Sequence, residues 1–467
     1  MMKPGGCALC CISLMLAAAV ISGCSSSQSI SCLYTESEAR SFLPDFLYDT
    51  FSYQSDGKTR VELFLQVGYF VLNFGKEPTR ESGETDGYSA RFTVTVLFRT
   101  GEQLVKSETW TENIHVDSFE ETRGRTYSVS RRLFLMDPGS YRLSIQVVDE
   151  TTGGVMQKGK TVVLPDFEKQ TIGLSSITVG TRRIQEGRYV LPTVSGEIVD
   201  GSDSVFSQCE VSAREIGERV RVTYRLSSYQ YKKRLGTKPE FLSGFAGRNV
   251  PQDSITTTID TVVTVPNGRL VLQQSFTDVR KAHYRLSVTA QPADEKPSSR
   301  AFESGAQMPF AEIAVATKAF TVRSIGFPEV VSIEDQIESL AYIATDSEYR
   351  GLLEGGTVDE KRARLEEFWT SHVGRNLYYE RVAYANRYFT CKTEGWRTFP
   401  GYIYIVVGSP DAVECLQRTE RWFYTSPVLN VSFRWRREVE GGRECRFTYG
   451  TIDPYLLERY FVRWQRK

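Results

Sequence analysis

Between about Leu43 and Phe167, apolar and polar positions alternate with a period of two. Val61, Leu63, Leu65, Val67 and Tyr69 stand against Glu62, Phe64, Gln66 and Gly68. Phe92, Val94, Val96 and Phe98 stand against Thr93, Thr95 and Leu97, and Tyr141, Leu143, Ile145 and Val147 against Arg142, Ser144 and Gln146. Successive side chains of a strand point to opposite faces, so each run predicts a strand with one face on a core and the other in water. Asp56-Gly57, Thr100-Gly101, Pro138-Gly139 and Gly153-Gly154 predict turns between them. Short strands with no helical period between them predict a β-sandwich. From about Gln170 to Phe327 the manner repeats. Arg219–Leu226 and Thr256–Val265 read as strands, Pro266-Asn267-Gly268 as a turn, and Gly268–Phe276 as the next strand. Tyr-Arg-Leu-Ser occurs at Tyr141, Tyr224 and Tyr284. The Tyr141 and Tyr284 copies each follow a short break after a Phe-containing strand (Phe134, Phe276). That suits the same corner position in two related sandwiches, although convergent strand composition would give the same echo.

A helical period enters only after about residue 328. Ser332 with Asp335 predicts a capped helix running through Leu340 and Ile343. Thr357 with Glu360 forms a capping box ahead of Leu365, Phe368 and Trp369 at i, i+3, i+4. Asn376 is placed to cap a third helix with a stripe of Tyr379, Val382, Ala383 and Ala385. Tyr402 to Val407 is apolar on both faces and predicts a central strand, ended by a turn at Gly408-Ser409-Pro410-Asp411. Gly395 and Gly401 suit unusual backbone angles or a close backbone approach, and Trp396 a large buried anchor. Val431, Phe433 and Trp435 form an apolar set that Cys445, Phe447 and Tyr449 match beyond Gly441-Gly442. Matching the two sets predicts a three-residue loop, Glu440 to Gly442, with Trp435 opposite Phe447 and Phe433 opposite Tyr449.

Composition narrows the function classes. The 467 residues suggest about three domains. Lys+Arg and Asp+Glu balance at 57 each, which gives no general pull towards nucleic acid. A mean hydropathy of -0.31 argues against a polytopic membrane protein. Three histidines (His115, His283 and His372) leave little room for imidazole chemistry or a multi-histidine metal site. His283 falls on the polar side of its strand, and the basic run Lys232-Lys233-Arg234 reads as a solvated loop. No metal, cofactor or nucleotide is expected: no Gly-rich phosphate loop with a Lys follows the turns of the C-terminal third.

Met1 to Gly23 reads as a secretory signal, with Lys3 ahead of an apolar run, Cys10 to Ile21, that is short for a bilayer span. Ile21-Ser22-Gly23-Cys24 is similar to the processing box of bacterial lipoproteins. The resemblance implies cleavage before Cys24 and lipid attachment at it, and Ser25 in place of Asp implies the outer membrane; as no acidic cluster of a surface-export signal follows Cys24, the periplasmic face is expected. Beyond Cys24, the mature chain holds Cys32, Cys209, Cys391, Cys415 and Cys445, an odd set that allows at most two disulfides. Three of the five lie after residue 390, which allows a bridge there; buried unpaired thiols are the alternative.

Phe368-Trp369, the Tyr- and Arg-rich segment Asn376 to Phe389 with Ala385-Asn386, Gly395-Trp396-Arg397-Thr398, Gly401 to Ile405 with Tyr404, and Gly408 to Asp411 with Pro410 follow one another in order. The series resembles the GWxTD domain, a bacterial envelope family without a characterised biochemical role, over roughly residues 330–467. Trp422 and Tyr424 are similar to its later aromatic pair. Phe399 stands where the family's Asp would be, and Pro400 and Tyr402 replace arginines common there. Loss of an acid together with its partners favours a structural role for that position. The expected fold class is therefore mainly β. A signal (1–23) and a tether (24–42) precede two tandem Ig-like β-sandwich domains (43–168 and 169–327) and an α+β GWxTD-like domain (328–467).

Residues 371–467 carry sixteen Lys and Arg against ten Asp and Glu. Arg434, Arg436 and Arg446 would share one hairpin face as a patch for an anionic partner, or be solvated and paired with Glu438 and Glu444. Three functions stay open. One is a membrane-tethered scaffold with an envelope protein partner and no catalytic residues. Another is an envelope hydrolase, for which Glu394 and Asp411 are the pair to test. The third is a carbohydrate-binding lipoprotein that stacks sugars on tryptophans and tyrosines, with five of the six tryptophans after residue 365.

Overall fold

The computed structural model describes residues 32–34, 46–76, 87–123, 126–184, 186, 189–199, 204–230, 252–293, 313–354, 356–390, 394–416, 419–425, 428–440, 443–451 and 464. Strand dominates, and helices gather towards the C-terminus. Cys24 and the signal lie outside the described residues. Within the stretch read as a tether, Cys32–Tyr34 form a strand, β1.

The first unit comprises β2 (Phe46–Ser55), β3 (Lys58–Gly68), β4 (Gly75–Lys76), β5 (Tyr88–Thr100), β6 (Gln103–Val116), a short helix α1 (Phe119–Arg123), β7 (Tyr127–Met136), β8 (Gly139–Asp149) and β9 (Val155–Leu164). β2, β3 and β7 make one sheet; β4, β5, β8 and β9, with β6 on β5, make another. The alternating residues of β3, β5 and β8 meet in one buried cluster between them: Val61, Leu63, Leu65 and Val67 against Phe92, Val94, Val96 and Phe98 with Leu143, Ile145 and Val147. Gly57, Gly101 and Gly153 take the expected turns with positive φ. One expectation is corrected. The second face of β3 does not look wholly into water: Phe64 is buried with Phe51, Tyr53 and Val194, a residue of the next unit.

The second unit comprises β10 (Ile172–Leu174), β11 (Thr178–Gly180), β12 (Arg182–Ile184), β13 (Tyr189–Leu191), β14 (Glu197–Val199), β15 (Val205–Ala213), β16 (Glu218–Gln230), β17 (Gln252–Val265), β18 (Arg269–Phe276), β19 (Ala282–Pro292) and β20 (Ala314–Arg323). Its strand order repeats the first. β6-β5-β8-β9 corresponds to β17-β16-β19-β20, and β3 with β7 to β15 with β18. The Tyr-Arg-Leu-Ser echo divides accordingly. Tyr141 Oη donates to the Asp137 carbonyl (2.9 Å) and Tyr284 Oη to the Arg280 carbonyl (2.8 Å), each four residues upstream at the start of an equivalent strand. Tyr224 lies instead in the core beside Cys209. Tyr141→Phe and Tyr284→Phe should therefore each cost about 1 kcal/mol, the net worth of one hydrogen bond, whereas Tyr127→Phe, at an exposed ring, should cost nothing measurable. Urea midpoints test this; equal losses for all three would refute the paired corners.

Tyr53 Oη meets Thr178 Oγ1 at 3.0 Å, and Ser52 and Ser176 exchange backbone and side-chain bonds, so the two units abut through hydrogen bonds as well as through Phe64. Lys318 of the second unit pairs with Asp49 of the first.

The third unit opens with five helices, α2 (Ile333–Ser339), α3 (Asp346–Leu353), α4 (Val358–Ser371), α5 (Arg375–Phe389) and α6 (Phe399–Val406), followed by β21 (Ala412–Leu416), β22 (Thr419–Thr425), β23 (Val428–Glu440) and β24 (Arg443–Thr451). The sheet order is β1-β21-β22-β23-β24, so a strand from near the N-terminus closes the sheet of the C-terminal unit. Ser332 caps α2 and Thr357 with Glu360 boxes α4, as the sequence leads one to expect. Leu365, Phe368 and Trp369 are buried.

Three expectations are corrected. Residues 402–406 are helix, not strand, and Val407 is the C-cap: Thr398 accepts from the Gly401 N–H as a cap, Pro400 sits in the first turn, and the run is buried nearly all round. A run apolar on every side cannot distinguish a buried helix from a buried strand by periodicity. Asn376 is not the cap of α5; Gly374, at φ 81°, precedes the first helical residue, Arg375. The hairpin register sets Trp435 opposite Thr448 and Glu440 opposite Arg443, so the connection is the two-residue Gly441-Gly442, a length at which glycines are preferred. Turn length overrides the matching of apolar sets. The same register puts Arg446 opposite Arg437, Arg434 opposite Tyr449 and Arg436 opposite Phe447; the side chains of these arginines lie outside the described residues. Among the described residues, no helix is long and apolar enough to cross a membrane.

Candidate functional site

The residues singled out in the sequence converge on one turn. α5 ends at Phe389, and Gly395–Arg397 form a single 3-10 turn that feeds α6. The turn packs directly on α5: a Cβ on Gly395 would lie 1.8 Å from the Ala385 carbonyl oxygen, and one on Gly401 would lie 1.9 Å from that of Gly395. Both glycines are therefore there for close backbone approach rather than for a positive φ. Asn386 spans the gap between segments. Its Nδ2 donates to the Pro328 carbonyl (2.8 Å), and its Oδ1 accepts from the Trp396 N–H (3.2 Å). Trp396 is 2 % exposed, packs edge-on against Tyr342, and its carbonyl accepts the Tyr342 hydroxyl. Thr398 Oγ1 donates back to Gly395 O at 2.6 Å while it caps α6.

Charge surrounds this turn. Glu394, immediately before it, is buried yet bonded to Lys281 (2.5 Å) and Arg397 (2.8 Å). Lys281 also reaches Asp335 of α2 at 2.5 Å, and Arg397 pairs with Glu338 and lies 4.1 Å over the Trp396 ring. Burial alone would raise the carboxyl of Glu394. The charges of Arg397 and Lys281, and the hydrogen bonds they donate, outweigh it and hold the group down to about 2. Lys281 belongs to the second β unit, so this network joins that unit to the C-terminal one.

The remaining motif residues continue the same frame. Trp369 Nε1 donates to Tyr379 Oη (3.3 Å), Phe368 stacks on His372, and Tyr404 stacks on Tyr384 at 4.1 Å. Gly408 takes φ 110° and its carbonyl accepts the Tyr424 hydroxyl (3.0 Å); the buried Pro410 follows. Asp411 accepts from the Thr425 N–H (2.7 Å) and Oγ1 (2.6 Å), which holds its carboxyl below the ordinary value. Glu394 and Asp411, the pair considered for hydrolysis, thus serve separate sets of partners. Phe399 is the first residue of α6 and packs at a tilt against Tyr402, with ring centroids 6.3 Å apart. An Asp at that position would meet the positive end of the helix dipole.

Sequence reasoning did not find Lys281, Asp335 as its ligand, or Asn386 as a bridge. Lys281 lies outside the motif region, and only the fold brings it to the motif. The carbohydrate reading also needs correction in its details. Trp369, Trp396, Trp422 and Trp464 belong to the core and offer no stacking face; the side chain of Trp435 lies outside the described residues. Half-buried Tyr379 and Tyr384 do line an open depression of about 490 Å³ along α5, with Asn376, Glu380 and Arg387.

These features define a modular, mostly β protein with a helical C-terminal unit built around a Gly-Trp turn. Residues 311–450 match the model of the GWxTD domain family, so the C-terminal unit carries a GWxTD domain. No curated protein matches. Among solved structures, red sea bream transglutaminase is similar at 10 % identity over 62 % of this chain and 32 % of its own, with a TM-score of 0.16. A Bacteroides uniformis beta-glucuronidase 2 is similar at 8 % identity over 62 % of this chain and 32 % of its own, with a TM-score of 0.18. The fibronectin(III)-like modules of Clostridium thermocellum CbhA are similar at 11 % identity over 63 % of this chain and 96 % of their own, with a TM-score of 0.15. The chain spans about a third of the first two of these structures. Likenesses this slight carry neither fold detail nor activity across.

Proposed function

We propose that this protein is a cell-envelope lipoprotein, anchored through Cys24 in the outer membrane and facing the periplasm, that acts as a membrane-tethered scaffold for another envelope protein. In this reading the two β units are duplicated Ig-like sandwiches that space and present binding surfaces, and the GWxTD domain is a rigid docking unit. One observation carries the reading: the motif spends its functional groups on the fold. Asn386, Trp396, Thr398 and Gly401 bond or pack among themselves, and Glu394 is committed to two cations. A catalytic carboxylate would instead be poised to exchange a proton near neutral pH. Phe399 fits the same view, because a structural acid at a helix start can be replaced where a catalytic acid cannot. A hydrolase or sugar-binding role remains the second reading, and the Tyr-lined depression along α5 is what favours it.

Two measurements test the proposal. Cys24→Ala should abolish incorporation of a fatty-acid probe and release the protein from membranes; continued labelling would sink the lipoprotein claim. Crosslinking in intact envelopes should capture a defined protein partner. Turnover of a glycan by the purified chain, with no partner captured, would overturn the scaffold reading.

A further inference from the structure

Strand order separates the cysteines of the described residues; Cys391 lies outside them. Cys209 is buried in the core of the second unit, where burial pushes its thiol up to about 12, and it is unpaired. Cys415 and Cys445 lie on β21 and β24 of the same sheet, with β22 and β23 between them. Three strand spacings of about 4.8 Å separate them by roughly 14 Å, twice what a disulfide spans. A bridge between those two is therefore excluded. On the other side of β21 runs β1, antiparallel, and its register sets Cys32 directly opposite Cys415. Directly opposed residues of an antiparallel pair have Cα atoms about 4.5–5.5 Å apart, inside the 4.4–6.8 Å window of disulfides.

We propose that Cys32 and Cys415 form a cross-strand disulfide. The two thiols give up two protons and two electrons to a disulfide-bearing oxidant, such as an envelope thiol oxidoreductase or oxidised glutathione. One thiolate attacks the oxidant's disulfide and expels a thiol. The second attacks the resulting mixed disulfide and expels the other, leaving the protein bridged and the oxidant reduced to two thiols. The consequence deepens the lipoprotein reading and rests on it. Cys32 is eight residues from Cys24, at most about 29 Å of extended chain. The bridge would lock the GWxTD domain, last in sequence, within that reach of the membrane anchor, and hold the anchor strand in place if the edge pairing were strained.

The test follows one peptide. The full chain is extracted under denaturing conditions, its free thiols are blocked with a maleimide, and the tryptic peptide 398–418, which holds Cys415, is read by mass spectrometry with and without reduction. Cys415 should be protected in the unreduced wild type and in Cys391→Ser, and fully labelled without reduction in Cys32→Ser. If Cys415 is labelled in cell-derived protein but, after equilibration of the native full chain with oxidised glutathione, becomes protected without gaining a glutathione adduct in wild type and not in Cys32→Ser, the bridge holds and it is the oxidising-envelope reading that fails. Labelling of Cys415 after that equilibration, or loss of its protection in Cys391→Ser and not in Cys32→Ser, overturns the proposal.

Discussion

Replacing Glu394 by alanine is expected to destabilise the C-terminal unit by about 3 kcal/mol, the lower end of the cost of breaking a buried ion pair. The loss stays at that end because Lys281 keeps Asp335 and Arg397 keeps Glu338. The pH dependence is the sharper signature. The Glu394 carboxyl is held down to about 2 in the folded chain, against 4.5 in the unfolded one. A depressed folded value means that the unfolded state binds the proton first as pH falls. The stabilisation is therefore complete above pH about 4.5 and is lost progressively as pH falls towards 2. At about 1.4 kcal/mol for each pH unit between the two values, the loss amounts to roughly 3–4 kcal/mol. Five of the six tryptophans follow residue 365, so tryptophan fluorescence reports chiefly on this unit during denaturant unfolding. Wild type and Glu394→Gln should converge in midpoint between pH 4.5 and 2 and differ most at neutral pH. Parallel acid losses in the two would show that the network does not hold the carboxylate charged.

What the sequence made legible followed from the range of the determining interaction. Strand alternation in the first two units and the caps of α2 and α4 are local, and Ser332, Thr357 and the runs of β3, β5 and β8 behave as their neighbours dictate. The repeat was legible only as an echo, Tyr141 against Tyr284, because strand order is a property of pairing over long sequence separation. Residues 402–407 failed because burial on all sides erases the period that tells helix from strand, leaving Thr398 and Pro400 as the only local signs of a helix start. Phe64 failed for a related reason: its face meets Val194, a partner 130 positions away that no pattern within the strand announces. At the candidate site the motif named its residues but not their partners. Lys281 comes from another unit, and the pairing of Cys32 with Cys415 depends on a strand that leaves the N-terminus to close a sheet at the other end of the chain.

The same substitution should act with opposite sign at two glycines of the C-terminal unit. Gly401→Ala places a methyl 1.9 Å from the Gly395 carbonyl oxygen. The obstacle is backbone, held by the Thr398 hydroxyl at 2.6 Å and unable to turn aside as a side chain would. Overpacking costs about 1–3 kcal/mol where neighbours can shift, so a loss of about 3 kcal/mol or more is expected here, with the Trp396 turn pushed off α5. Gly351 lies within α3 and a Cβ there meets nothing within 4 Å. Gly351→Ala removes unfolded-state freedom at no steric cost and should stabilise by about 0.5–1 kcal/mol. Thermal unfolding followed by near-ultraviolet circular dichroism distinguishes the two, since the indole of Trp396 sits at the point of strain. If Gly401→Ala is tolerated as readily as Gly351→Ala, the turn does not pack backbone on backbone, and the glycines of the motif must be explained by something that approaches them from outside. A strong loss at Gly401 beside a gain at Gly351 would instead tie the motif's glycines to the fold, which is the role the scaffold proposal assigns to them.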